Sequence, residues 1–336
     1  MQIHSLLNYK AIGLAFYESK RENSFDRLPF IFKDKVRKEV WNLSKNNSGI
    51  SIEFLTDSSF IEFEWEVINN FTMNHMPNTG IKGLDLYTKS NNEWIYVGTG
   101  IPEGKKNFCR IIQNIEFHKR EYKLYLPLYD GIEKLDIKLQ DGSILEDLNN
   151  KQETKPLVFY GTSITQGGCA SRPGSIHTNI ISRATSLECM NFGFSGNGHL
   201  EKSIGEIISQ INAKLYIIEC MQNVDEILLK DRLIPLVKVI RQKRKMTPIV
   251  FVIEPISKNE DLDLEIKKNL THKNKQLRIQ YKKIKKLNIP QVYLIDEPNG
   301  IGIDNESTVD TVHFNDIGFR RYAFYLLKNL KKLQLL

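Results

Sequence analysis

Between residues 157 and 334 short apolar runs alternate with longer stretches of helical periodicity, and this alternation restricts the fold more than any other feature of the chain. The runs fall at 157–161, 188–194, 214–221, 248–255 and 291–296. The helical patterns fall at about 175–186, 200–211, 225–244, 260–287 and 316–334. Strands separated by helices of this length specify a parallel sheet covered on both faces. The run Leu157–Tyr160 is apolar at every position, as a strand buried on both sides must be. Five such strands fit a flavodoxin-like α/β sheet with order 2-1-3-4-5.

The first half has a different period. Ile50, Ile52 and Phe54 alternate with polar residues, and Phe63 and Trp65 follow after the turn Asp57-Ser58-Ser59. Further strand-like runs are 81–88, 93–98, 109–117, 121–126 and 132–139. Closely spaced short strands with turn residues between them argue for an antiparallel β-sandwich. Residues 1–40 look irregular, with a short helix around 31–40. The polar stretch 141–156 ends in Pro156 and reads as a linker. The expected organisation is a sandwich domain over 1–150 and an α/β domain over 151–336.

Composition narrows the function classes. The chain is 41% hydrophobic and 26% charged, ordinary for a globular protein. Its net charge of +7 comes from lysines scattered among acidic residues. The aromatic interleaving of a nucleic-acid groove is missing, so no nucleic-acid partner is expected. The long basic helix at 264–287 reads as a solvated face. No run approaches the roughly 20 apolar residues of a membrane span, and the amino terminus lacks the pattern of a signal peptide. The four cysteines, at 109, 169, 189 and 220, form no CxxC pair and no zinc-ligand spacing. Cys189 and Cys220 sit in apolar runs and read as buried thiols. A reducing, cytoplasmic location and no metal or cofactor are the expectations.

The chemistry is expected where strands end. Leu157–Tyr160 stops at Gly161, followed by Thr162-Ser163-Ile164-Thr165 and Gly167-Gly168. A serine there lies at the carboxyl edge of the sheet, with its hydroxyl free and its N–H near a helix start. Those are the needs of an acyl-transfer nucleophile. The same segment also reads simply as a turn. After the second strand comes Gly193-Phe194-Ser195-Gly196-Asn197-Gly198, and after the third Gln222-Asn223. Before the last helix come Asp310-Thr311-Val312-His313 and Asn315-Asp316. Ser163 needs a base, for which His313 is placed. His313 needs an orienting acid, for which Asp310 is placed. The N–H groups of Ser163 and Gly196 and the side-chain amide of Asn223 are the oxyanion donors. Each has a plainer reading: Asp316 as a cap of the last helix, Asn223 as a cap of the helix after it, Gly196 as a turn, His313 as a structural histidine.

Together these blocks resemble the SGNH hydrolases, or GDSL-type esterases. Ser163 in GTSITQG, Gly196 in GFSGNG, Asn223 in CMQNVD and His313 in DTVH match the four blocks, with Asp310 as the triad acid. Thr162 stands where better-known members have Asp, and Gln222 where many have Gly. Gly83-Leu84-Asp85-Leu86-Tyr87 is similar to the Gly-x-Asp-Leu-Tyr motif of a subgroup with an amino-terminal sandwich. The resemblance implies a serine esterase acting on short, acetyl-type esters of a sugar or another small polar molecule. An acyltransferase on the same triad and a non-catalytic carbohydrate-binding protein are the alternatives. Arg172 is expected either to hold a substrate oxygen or to brace its loop. His75 reads as a pocket residue or an exposed loop histidine, and Asp85 with Tyr87 as a structural strand pair.

Overall fold

Two antiparallel sheets and one parallel sheet make up the computed structural model, which describes residues 1–148, 154–255 and 262–336. The antiparallel strands are β1 (Gln2–Ser5), β2 (Ala11–Ile12), β3 (Ser51–Thr56), β4 (Ile61–Val67), β5 (Leu84–Ser90), β6 (Glu93–Gly100), β7 (Lys106–Ile112), β8 (Arg120–Tyr125), β9 (Ile132–Leu139) and β10 (Leu145–Asp147). One sheet runs β1-β9-β4-β7, and the other β10-β3-β8-β5-β6 with β2 on β3. On β4, Phe63, Trp65 and Val67 point inward between Glu64 and Glu66. They meet Phe54, Leu86, Leu124 and Ile137 in one apolar core. This is the sandwich expected from the alternation.

Four local readings change. Residues 78–82 form a short helix, α2 (Asn78–Lys82), so the strand read from 81 begins at Leu84. Pro77 sets an extended φ of −70° just before it, a helix-entry geometry. β1 is an edge strand with no fully buried residue, so it carries no apolar alternation to detect. The helix expected at 31–40 becomes a 3-10 turn, Phe30–Lys35, followed by α1 (Lys38–Leu43). The stretch read as linker supplies β10, and its residues 149–153 lie outside the described residues.

The parallel sheet contains β11 (Leu157–Gly161), β12 (Cys189–Gly193), β13 (Leu215–Glu219), β14 (Ile249–Val252) and β15 (Val292–Ile295). Its order is β12-β11-β13-β14-β15, the 2-1-3-4-5 order expected. The helices are α3 (Ser163–Gln166), α4 (His177–Thr185), α5 (Lys202–Ile208), α6 (Glu226–Lys243), α7 (Leu264–Lys286) and α8 (Asp316–Lys332). Ile181 of α4 and Phe319, Ala323 and Leu326 of α8 pack on one face. Ile204, Leu233, Leu236 and Leu277 of α5, α6 and α7 pack on the other. The buried positions of α7, Leu270, Asn274, Leu277, Gln280 and Ile284, form a single stripe, and the lysine-rich remainder faces solvent. Residues 260–261 of the helix read there lie outside the described residues.

The segment between β2 and β3 joins the parallel unit. Ala15, Leu28, Phe32, Val40 and Trp41 are buried in the same core as Tyr160, Phe192 and α5. Arg27, 3% exposed, donates to the carbonyls of Leu43, Asn46, Asn191 and Gly193 at 2.7–3.0 Å. Its guanidinium also covers the Phe194 ring. Burial pushes Arg27 down to about 9, so it is still a cation at neutral pH.

Candidate active site

β11 ends at Gly161, and Thr162 turns the chain in an extended conformation. The Thr162 hydroxyl accepts from the Ile164 N–H at 3.3 Å, so it caps α3. An aspartate would fill the same role, which explains why threonine can stand there. Ser163 is the first residue of α3, and its carbonyl accepts from the N–H groups of Gly167 and Gly168. A Cβ on Gly168 would lie 2.8 Å from the Tyr129 hydroxyl oxygen and 3.2 Å from Cδ2 of His313. Glycine there lets the histidine ring approach the turn.

The loop before α8 brings in the imidazole. Ser163 Oγ lies 2.9 Å from His313 Nε2, and His313 Nδ1 lies 2.7 Å from Asp310 Oδ2. The other carboxylate oxygen accepts from the N–H groups of His313 at 2.7 Å and Val312 at 3.1 Å. Burial pushes the Asp310 carboxyl up. The hydrogen bonds from the backbone and ring of His313 and from Val312 outweigh it and hold the group below its ordinary value. Ser163 is only 5% exposed, and its partners open to solvent on the Asp310 side.

The glycine-rich loop after β12 is latched to the serine turn. Phe194 N–H donates to the Gly161 carbonyl, and Ser195 N–H donates to Gln166 Oε1. Gly196 has φ +66°, and a Cβ there would meet nothing within 4 Å, so its backbone borders open space. Asn223 lies in the 3-10 turn after β13, where its Oδ1 accepts from the Gly198 N–H at 3.1 Å. It does not cap α6; Asp225 does, accepting from Leu228 N–H.

Asp316 is not the cap of α8 either. Asn315 accepts from the Gly318 N–H, while Asp316 accepts from the N–H and hydroxyl of Ser171. Arg172 joins the brace and not the serine in its hydrogen bonding: Nη1 donates to Asp85 at 2.8 Å and to the Tyr87 hydroxyl at 2.7 Å, over the Tyr96 ring. Asp85 also accepts from the Gly174 N–H. The Gly-x-Asp-Leu-Tyr segment on β5 thus grips the loop that follows the serine turn. Arg37, from the irregular amino-terminal segment, does the same for the glycine loop, binding Asn197 Oδ1 at 2.7 Å, Glu201 at 2.5 Å and the His199 ring. Burial and Arg37 hold His199 below its usual value. The segment has no periodicity, so no sequence pattern points to Arg37.

His75 is exposed, and its ring centroid lies 5.7 Å from that of His313. Cys169 is buried at φ +71°, and burial, with Asp310 nearby, pushes its thiol up to about 12. His75, Cys169, Asp310 and His313 offer one ligating atom each, all within 4.8 Å of one another. Spacings of 75, 169, 310 and 313 leave no local motif, so the sequence does not reveal this cluster. A separate cleft of about 610 Å³, lined by Lys10, Tyr17, Glu53, Trp94 and Lys123 among others, includes none of the residues around Ser163. Among the described residues no helix is long and apolar enough to cross a membrane.

Comparison with known proteins is consistent over the whole chain. Residues 154–331 match the GDSL-like lipase/acylhydrolase family, and residues 4–145 match the GxDLY amino terminus of SGNH-hydrolase-type esterases. A GDSL-like lipase from Bacteroides ovatus, itself described as putative, superposes with a TM-score of 0.94 at 30% identity, over 99% of this chain and 98% of that one. A salicylyl-acyltransferase from a tetracycline biosynthetic pathway has a TM-score of 0.77 at 18% identity, over 100% and 98%. A family two carbohydrate esterase from Clostridium thermocellum, in complex with cellohexaose, has 0.60 at 12%, over 85% and 93%. No curated protein matches the chain in sequence.

Proposed function

The chain belongs to the GDSL-like lipase/acylhydrolase family and is a carboxylic ester hydrolase, and on that premise we propose that it cleaves short acyl esters through a covalent intermediate on Ser163. The observation that carries the reading is the series Ser163 Oγ, His313 Nε2, His313 Nδ1, Asp310 Oδ2, joined at 2.9 and 2.7 Å. His313 takes the hydroxyl proton as Ser163 Oγ attacks the ester carbonyl carbon. Asp310 accepts the Nδ1–H hydrogen bond and stabilises the imidazolium that forms on His313. The oxyanion accepts from the N–H groups of Ser163 and Gly196 and from the Asn223 amide. The intermediate collapses, and the leaving alkoxide takes the proton from Nε2. Water then repeats the attack on the acyl-serine and releases the acid.

The acyl group is small and the alcohol polar. Ser163 is nearly buried, and an acyl group of acetyl size is the first to try there. Related folds occur in a carbohydrate esterase seen with cellohexaose and in an acetyl xylan esterase from Butyrivibrio proteoclasticus, and an acylated sugar is the substrate we would try first. Arg172 acts as a brace for the site and not as a substrate contact. The four free cysteines suit a reducing, cytoplasmic setting. The scheme uses no metal or cofactor, so turnover should survive a chelator.

A panel of acetylated sugars and short-chain aryl esters, run beside Ser163→Ala, tests this. Hydrolysis that falls with lengthening acyl chain and vanishes in the variant is expected; equal rates in both proteins would remove it. Acyl transfer to a hydroxyl acceptor is the second reading, favoured by the whole-chain likeness to the salicylyl-acyltransferase fold. Product analysis with an added polyol distinguishes it: transfer yields a new ester, hydrolysis only the free acid.

A further inference from the structure

Four metal-ligating side chains converge where the sandwich meets the triad. His75 comes from the sandwich half, Cys169 from the turn after α3, and Asp310 and His313 from the loop before α8. We propose that His75, Cys169, Asp310 and His313 form a binding site for a thiophilic divalent cation of the zinc class, and that its occupation silences the esterase. The silencing rests on the Ser163–His313–Asp310 reading above; the binding does not.

Two imidazoles, one thiolate and one carboxylate are a donor set that suits zinc or cadmium and disfavours magnesium or calcium. The two anionic donors neutralise the cation. Ligand atoms around tetrahedral zinc sit roughly 3.5 Å apart, given bonds of about 2.0–2.3 Å. Here the widest separation is within 4.8 Å, so closing the shell needs shifts of about 1.3 Å or less. His75 can supply them, being exposed on a loop, whereas Cys169 is buried. An ion enters from solvent past His75 and Asp310, both exposed.

The supporting contacts already have the form found around bound metals. A ligating histidine usually donates its other N–H to an oxygen, which fixes its tautomer. His75 Nδ1 lies 3.0 Å from Asn74 Oδ1, which leaves Nε2 to ligate. On binding, the Cys169 proton leaves to bulk water and a sulfur–metal bond replaces the S–H bond.

Inhibition follows whichever nitrogen of His313 is used. Nε2 is the atom that faces Ser163, and Nδ1 is the atom that faces Asp310. Ligation at Nε2 removes the base. Ligation at Nδ1, together with Asp310, removes the orienting bond and places a cation on the ring that must accept a proton. The cation also ties a sandwich residue to the triad loop.

The test has two arms on the full chain. Cadmium titration, followed by the thiolate charge-transfer absorbance, reads binding without turnover. One equivalent is expected, with the band lost in Cys169→Ser and affinity lowered about tenfold or more in His75→Ala. Zinc titration of aryl acetate turnover reads silencing. Wild type should lose activity, a chelator should restore it, and His75→Ala should turn over normally without metal while needing about tenfold more zinc. His75 is exposed, so His75→Ala keeps the test decisive even if the buried Cys169→Ser change disturbs folding. Absence of the cadmium band, or equal zinc sensitivity in wild type and His75→Ala, overturns the proposal. If no ester is turned over at all, the cadmium arm still decides the site.

Discussion

Ser163 works through what surrounds it. Thr162 caps the short helix beneath it, and Gly168 clears space for the His313 ring. Replacing Asn223 by alanine should lower kcat by roughly 100–1000-fold with little change in stability. Steady-state rates together with a urea melt check both halves. Asp310→Asn should lower kcat by about 1000-fold or more, because the imidazole loses the acceptor that fixes its tautomer. The Asp310 carboxyl is held below its ordinary value in the fold. Its contribution to stability is therefore complete above the unfolded value, near 4, and is lost as pH falls through the lower folded value. Acid unfolding should then begin at higher pH for wild type, relative to its neutral stability, than for Asp310→Asn, whose stability lacks that dependence. At this scale the polar residues at strand ends were legible, because an open α/β sheet gathers them at one edge. Capping was not: Asn223 and Asp316 are cap-type residues whose neighbours, Asp225 and Asn315, take that role.

Elements hold these residues through contacts between the two halves of the chain. β5 presents Asp85 and Tyr87 to Arg172, and Asp85 is fully buried. Asp85→Ala should cost roughly 3 kcal/mol, since it strands a largely covered guanidinium and frees the Gly174 N–H. A denaturant midpoint measures that loss, and kcat should fall with it because the loop after Ser163 is released. The five parallel strands were readable from their continuous apolar runs. The edge strand β1 and the helix α2 were not, because neither carries a hydrophobic period of its own. Arg172 shows the limit: an arginine beside a serine turn looks the same in sequence whether it meets substrate or a carboxylate 87 residues away.

The whole molecule is closed by its amino-terminal segment. Leu28, Phe32, Val40 and Trp41 complete the core against the helices of the parallel sheet, and Arg27 ties the end of β12 to residues 43–46. A chain beginning at residue 151 should therefore fail to fold stably, exposing that core face. Expression and a thermal melt of 151–336 beside the full chain test this, and Trp41→Ala in the full chain should cost about 3–5 kcal/mol. The sandwich and the doubly wound sheet were each visible in the sequence. Their joint core was not, since it depends on apolar residues scattered through a segment without period. The central claim is that Ser163 becomes acylated, and treatment with a fluorophosphonate followed by peptide mass mapping tests it most directly. The account predicts one adduct, on the peptide bearing Ser163, and its loss in His313→Ala. An adduct on another residue, or full labelling of Ser163 without His313, would contradict it.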